Sequence, residues 1–181
     1  IEMLSAGTPT SVAQADLTSM DADGFTINWT ANEARADIIH YLALGGTDLT
    51  NVRAGNFAAN TVVGNQGVTG VGFQPDAVLF LTSEQSVAGT GGHMGFGLGV
   101  MKSATQRGAA FVASEDGRAT MDTWRKQSAA QAIIQLVSTS GAVDALADFV
   151  SMDADGFTIN WSDAPFNADI ILYLALKGGQ V

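Results

Sequence analysis

The chain has 181 residues, of which 46% are hydrophobic and 14% charged, with no cysteine and a formal net charge of −10. This content is sufficient for a sizeable core and argues against intrinsic disorder, while the lack of cysteine excludes disulfides, cysteine-based zinc sites and thiol catalysis. With only eight Lys and Arg residues, a surface for nucleic acid is not expected, and the apolar runs are too short for membrane insertion.

An internal repeat dominates the sequence. The segment SMDADGFTINW at Ser19–Trp29 recurs unchanged at Ser151–Trp161, at an offset of 132 residues. Extended without gaps, the repeat aligns Ile1–Gly46 with Ile133–Gly178, and about 25 of the 46 aligned positions are identical. We therefore expect the two copies to adopt the same fold.

The position of the repeat predicts how the chain is divided. On the preferred interpretation, residues 1–46 are the C-terminal part of an upstream repeat unit, and residues 47–181 form a complete β-sandwich unit. The chain would then be the tail of a longer polypeptide. The alternative is a single domain whose first and last thirds are pseudo-symmetric halves.

The first predicted element in chain order is a β-hairpin at Ala15–Trp29. Its second half, GFTINW, alternates apolar and polar residues with the period of a half-buried strand, and the preceding Asp-Ala-Asp-Gly is typical of a tight turn. The same pattern predicts a hairpin at Ala147–Trp161. The alternation places Trp29 and Trp161 on the apolar face, so both are expected in the core.

The next segment, Ala36–Leu44, has a helical composition in isolation. Its counterpart in the second copy, Ala168–Leu176, follows Pro165 and Asn167, which do not suit the interior of a helix. A loop followed by a strand satisfies both copies, so both segments are predicted to be strands.

Several further strands are predicted between and within the two copies. The last of them could also form a helix, because SAAQAIIQL has mixed preferences. Short strands separated by Gly, Ser, Thr and Asn turns predict an all-β fold, either a β-sandwich or a jelly-roll-like barrel. The four strands are Asp76–Thr82, His93–Met101, Ala109–Ser114 and Ala130–Ser138.

One of these strands has an unusual composition. Glycines alternate with large apolar residues, so that one face of the strand carries almost no side chains and permits close approach by another sheet, a ring or a neighbouring subunit. The same run lacks the Gly-Lys-Ser/Thr of a phosphate-binding loop. We therefore regard Gly95, Gly97 and Gly99, with His93 beside them, as candidates for an interface or a glycan contact.

The duplicated turn carries aspartates that begin like a calcium-binding loop. The glutamate that would complete such a loop is replaced by Thr30 in one copy and Ser162 in the other. A hairpin turn is therefore preferred, cation binding is the alternative, and no dedicated metal site is predicted. The aspartates are Asp21, Asp23, Asp153 and Asp155.

Little in the sequence points to catalysis. There are two histidines and no Gly-x-Ser-x-Gly motif, and His40 aligns with Leu172 in the other copy. No catalytic residue and no cofactor is predicted. Trp124, beside Arg125 in a polar stretch, is the candidate for an exposed aromatic that stacks on a sugar ring.

The order of three motifs resembles a known class of module. The segment VGFQPDAVLFLTS at Val71–Ser83, the glycine-rich strand, and then MDADGFTINW and YLAL are similar to repeat modules of tailed-bacteriophage virion structural proteins. The resemblance covers about residues 67–178 and, through the repeat, residues 19–46. It implies a β-sandwich on the surface of a head or tail, assembled in several copies, in contact with host glycans and without catalytic residues.

Two functions remain as hypotheses. The first is a non-enzymatic structural component of the virion exterior (a decoration, spike, fibre or tail-associated subunit) that packs against copies of itself and other virion proteins. The nearly uncharged stretch Ala54–Met101 suits such packing. The second is a lectin-like module for host-surface glycans. A bacterial surface protein with the same module is a third interpretation that the sequence does not separate from these.

Overall fold

The computed structural model describes residues 1–4, 10–34, 36, 38–120 and 122–179. Within these residues all regular structure is β, in thirteen strands. The chain divides into two compact units. The first comprises residues 1–44 and 89–92, and the second comprises residues 45–88 and 93–181. Among the described residues, no helix is long and apolar enough to cross a membrane.

The strands are numbered in chain order. They are β1 (Glu2–Leu4), β2 (Ser11–Met20), β3 (Phe25–Ala31), β4 (Leu49–Ala58), β5 (Gly64–Thr69), β6 (Ala77–Thr82), β7 (Met94–Ser103), β8 (Gln106–Glu115), β9 (Asp122–Ser128), β10 (Ile133–Leu136), β11 (Val143–Asp153), β12 (Gly156–Asp163) and β13 (Ile170–Gly178).

The second unit contains two antiparallel sheets. One has the order β10-β11-β12-β5 and the other has the order β4-β13-β6-β7-β8-β9. Their inner faces share one core, in which the ring of Phe157 meets Phe80 edge-on at 5.6 Å between centroids and Tyr173 at 5.5 Å. The all-β prediction is confirmed, and two sheets joined by a common apolar core agree with a β-sandwich.

The first unit contains a three-stranded antiparallel sheet, in the order β1-β2-β3. Ala15 lies opposite Trp29 in this sheet, and Ala147 lies opposite Trp161 in the second unit, so the paired residues are related by the same offset. Each hairpin also has two register shifts at corresponding positions. Both predicted hairpins are therefore confirmed.

The prediction of a strand at Ala36–Leu44 is wrong. The described residues of this segment, 36 and 38–44, belong to no strand, whereas its counterpart forms β13 as predicted. In the second unit β13 is hydrogen-bonded on one side to β4 and on the other to β6. The sheet of the first unit contains no corresponding pair of strands, and a strand without hydrogen-bonding neighbours is not stable.

The burial predicted for Trp29 is also wrong. Trp161 is 1% exposed and lies in the core, but Trp29 is 39% exposed. Phe157 and Phe25 differ in the same way, at 0% and 37%. The local alternation of apolar residues is the same in both copies. What differs is the second layer of strands that covers the face in the second unit.

The four remaining predicted strands are present. They correspond to β6, β7, β8 and β10, and the segment that could have been a helix contains the short strand Ile133–Leu136. In β7 the glycines face inwards and the large residues face outwards. Gly97 lies under the ring of Phe111, and Gly99 lies under the backbone of Ala132. The groups that approach this face closely therefore belong to the same unit.

Replacing Gly99 by alanine should destabilise the second unit. A Cβ at this position would overlap the carbonyl oxygen of Ala132, and backbone cannot move aside as a flexible side chain can. Overpacking of this kind typically costs about 1–3 kcal/mol. Urea denaturation should show the loss. Gly108→Ala is the matched control, because its Cβ would lie 3.6 Å from the nearest atom, and equal effects of the two changes would contradict the packing described.

Candidate functional site

The first aspartate of each duplicated turn holds the hairpin together. Asp153 accepts hydrogen bonds from the hydroxyls of Ser151 and Thr158, both at 2.7 Å. These bonds stabilise the ionised form and lower the pKa of the Asp153 carboxyl, Thr158 making the larger contribution. The corresponding bonds are present at Asp21, at 2.8 and 2.7 Å. The carboxylates of Asp153 and Asp21 therefore stabilise the turns of their hairpins.

The second aspartate of the turn has a different role in the second unit. The two oxygens of Asp155 accept hydrogen bonds from the backbone N–H groups of Gly70 and Gly72, at 3.0 and 2.6 Å. These glycines follow β5 directly, so Asp155 ties the end of that strand to the β11–β12 hairpin. Among the described residues, no group of three or more acidic or histidine side chains is arranged to hold a metal ion.

Two further side chains of β12 bind β5. The Nδ2 group of Asn160 donates to Oδ1 of Asn65 at 2.8 Å, and the indole N–H of Trp161 donates to Oε1 of Gln66 at 2.7 Å. The two strands also form six antiparallel residue pairs. We call Asp155, Asn160 and Trp161 the strand-binding triad, since each of them contacts the β5 segment.

The first unit carries the same three residue types at the corresponding positions. They are Asp23, Asn28 and Trp29, and all three are exposed. In the sheet that the described residues form, β3 is hydrogen-bonded to β2 on one side and is an edge strand on the other. The first unit therefore presents the triad on an open strand edge.

The other sequence candidates lie elsewhere. The exposed His93 accepts a hydrogen bond at Nδ1 from the backbone N–H of Asp116, at 3.1 Å. Trp124 is half-buried, packs against a small cluster that contains Ile134, and lies over Gly141, so it is less exposed than expected. Inward-facing Gly95, Gly97 and Gly99 are not at the surface that β7 presents.

That surface is apolar. The strand register places one row of residues across the outer face of the six-stranded sheet. Leu172, Leu81 and Leu98 form the centre of the row and are 50%, 42% and 48% exposed. Phe96 and Val100, 48% and 43% exposed, flank Leu98 along β7. The full row runs Asn56, Leu172, Leu81, Leu98, Ala110, Gln127.

A group of buried polar side chains lies at the sandwich interior and was not predicted. Gln135 is fully buried and donates through Nε2 to Oδ2 of Asp169 at 3.0 Å, and Asp169 is 2% exposed. The nearby Glu84 accepts a hydrogen bond from the backbone N–H of Ser138 at 3.0 Å. Burial raises the pKa of both carboxyls. The alignment of the two copies did not indicate this polar group, because Met3 stands at the position of Gln135 in the first copy.

Asp169→Asn should raise stability at neutral pH. The folded-state pKa of Asp169 is raised by burial, so the fold disfavours the charged form. This penalty is present above the raised pKa and is lost as the pH falls towards 3.8, the usual pKa of an aspartate. We expect the melting temperature at pH 7 to rise by up to about 4 °C, the shift for about 1 kcal/mol in a chain of this size, and the difference to vanish at low pH.

Asp153→Asn is a control of opposite sign for that experiment. The pKa of Asp153 is lowered in the fold, so its ionised form contributes stability that is present above the unfolded pKa and is lost as the pH falls through the folded one. This variant should melt below the parent protein at pH 7 and approach it in acid. If Asp169→Asn also melted lower at pH 7, the assigned burial penalty would be wrong.

Comparison with known proteins gives no relative for this arrangement. No protein-family model matches the chain, and no curated protein and no solved structure is significantly similar to it. Two surfaces described above bear on the function: the apolar row of the six-stranded sheet and the open edge of β3.

Proposed function

We propose that the protein is a non-enzymatic structural component of a bacteriophage virion exterior and acts through packing against copies of itself and other virion proteins. The resemblance of the motif order to phage repeat modules supports the location. The division into a partial unit at residues 1–46 and a complete unit at residues 47–181 belongs to the same proposal, and the corresponding register of the two hairpins supports it.

The observation that carries the proposal is the apolar row on the outer face of the six-stranded sheet. A sheet of a sandwich normally turns polar side chains to water. Here three leucines at the centre of the row are between 42% and 50% exposed, while Asn56 and Gln127 stand at its two ends. An apolar centre with a polar rim is the composition of protein–protein interfaces.

Light scattering tests this packing. The protein should associate in a concentration-dependent manner, and Leu98→Lys should shift it towards the monomer, because a charge at the centre of the row would be buried without a partner. Lysine is preferred to glutamate since it does not add to the net charge of −10. Val62→Lys is the control, at a loop position that is 71% exposed and outside the row.

A strictly monomeric parent protein would contradict the assembly role. An antibody against the chain should label the outside of intact particles if the location is right. A lectin-like role is the competing outcome, and an array of host glycans separates the two. Binding to a glycan that is lost in Trp124→Ala would favour the lectin, since Trp124 is the partly exposed tryptophan of the second unit.

A further inference from the structure

We propose that the open edge of β3, with Asp23, Asn28 and Trp29, binds an extended polypeptide strand with the sequence of β5 and the glycines after it, residues 65–72, supplied by another copy of this region. The strand would add antiparallel to β3. This inference deepens the proposed assembly role and rests on it, but it uses a different surface from the apolar row.

The second unit shows how such a strand is bound. All three members of the strand-binding triad donate to or accept from residues 65–72, through the carboxylate of Asp155, the amide of Asn160 and the indole N–H of Trp161. Val68, the last residue but one of β5, is 7% exposed and lies opposite Phe157. The specificity therefore comes from two amide side chains, one buried valine and two glycine N–H groups.

The first unit has the geometry needed to bind the same strand. Its hairpin has the register of the second one, and its turn is closed by the same serine and threonine bonds. Phe25 also contacts Tyr41 edge-on at 5.1 Å, as Phe157 contacts Tyr173 at 5.5 Å. The hairpin is thus paired in the same way before any strand adds to it, although Gly24 does not have the positive φ of Gly156. β-Strand addition to such an edge is a common mode of peptide recognition.

Burial also favours an added strand. Trp29 and Phe25 are 39% and 37% exposed, although their counterparts are buried. Beside Trp29 is a cavity of about 440 Å³, which Met3, Ala13 and Ile39 also line. A strand on β3 would flank Phe25, as Val68 lies opposite Phe157 in the second unit. It would also pair the backbone groups on the side of β3 that no described strand occupies.

A close backbone contact at the turn of the second unit indicates which segment would occupy the edge of β3. In the second unit Gly156 lies against the backbone of Val68, and a Cβ at this position would overlap the Val68 carbonyl oxygen. The corresponding Gly24 has no atom within 4 Å of a Cβ position. At this point, where β5 lies in the second unit, the described residues of the first unit leave the side of β3 open. Because β5 of a complete unit is already paired with its own β12, the added strand must be a copy of residues 65–72 that is not paired in this way.

A synthetic peptide of residues 60–73 provides the test. Fluorescence anisotropy of the labelled peptide, titrated with the full chain, should show saturable binding of one peptide per chain. Asp23→Ala should weaken binding about tenfold or more, because two hydrogen bonds to a carboxylate are lost. Gly24→Val should abolish binding through overlap with the peptide backbone. Gly45→Val is the matched control, since its Cβ also has no atom within 4 Å and Gly45 does not belong to the first unit.

Each outcome has a defined meaning. Binding that is lost in Gly24→Val and kept in Gly45→Val, with unchanged circular dichroism in both, supports the proposal. No binding, or binding that Gly24→Val leaves intact, overturns it; the latter would indicate exchange with β5 of the second unit. Pairing of two β3 edges between chains, seen as a dimer that Gly24→Val dissociates and that binds no peptide, also overturns it. None of these results depends on the apolar row, which Leu98→Lys tests separately.

Discussion

Replacement of Trp161 by alanine should destabilise the second unit by about 3–5 kcal/mol, the usual cost of removing a large buried aromatic side chain. Trp161 is 1% exposed, lies in the core shared by the two sheets, and donates its indole N–H to Gln66 at 2.7 Å. The substitution would leave a cavity and remove one of the two donors to the Gln66 oxygen, the other being the backbone N–H of Asn60 at 2.9 Å. Urea denaturation followed by circular dichroism measures the loss.

The chain contains its own control for this experiment. Trp29 stands in an identical run of eleven residues and lies opposite Ala15 as Trp161 lies opposite Ala147. At 39% exposed, it has much less contact to lose, so Trp29→Ala should cost about 1 kcal/mol or less. Similar losses from the two substitutions would show that the surroundings of the two hairpins do not differ as described.

The second large effect is expected at the glycine of the duplicated turn. Gly156→Ala would place a Cβ on the carbonyl oxygen of Val68, at a backbone φ of 151° that L-residues rarely adopt. Overpacking contributes about 1–3 kcal/mol and the strained backbone about 1–3 kcal/mol more. Thermal unfolding should therefore show a large fall in the melting temperature of the second unit.

Gly24→Ala is the matched change in the first unit and should be tolerated. No atom lies within 4 Å of the added Cβ, and Gly24 does not have a positive φ. Both substitutions replace the same glycine of the duplicated eleven-residue segment. If Gly24→Ala destabilised its unit as strongly as Gly156→Ala, the edge of β3 would have to be covered, contrary to the structure.

The hairpins could be predicted from sequence because their determinants are local. Alternating apolar residues and the Asp-Ala-Asp-Gly turn fix a strand, a reversal and a second strand, whatever surrounds them. The aspartates were expected in the turn, but it was not expected that Asp153 and Asp155 would bind different partners. That Asp155 accepts the N–H groups of Gly70 and Gly72, more than eighty residues away, is a tertiary contact without a local signal.

The errors have one physical cause. Whether Ala36–Leu44 becomes a strand, and whether Trp29 is buried, depends on strands that are distant in sequence. A repeat predicts that two segments have the same preferences, but it does not provide each with the same neighbours. Identical residues are therefore buried in one unit and exposed in the other.

The strands that sequence analysis did not predict show the complementary effect. Strand β5 has the sequence GNQGVT and β4 has LTNVRAGNFA, with glycine and asparagine where strand formers are usual. Sheet partners stabilise them, since β5 pairs with β12 and β4 with β13. The side-chain amides of β5 gain hydrogen bonds from Asn160 and Trp161 only in the folded unit.

Amide hydrogen exchange, followed by NMR at the two identical segments, tests most directly whether the same hairpin is covered in one unit and open in the other. The amides of Phe157–Trp161 should all be protected, because β12 has a strand on each side. In Phe25–Trp29, the amides that point away from β2 should exchange faster by orders of magnitude. Equal protection of the two segments would contradict the account.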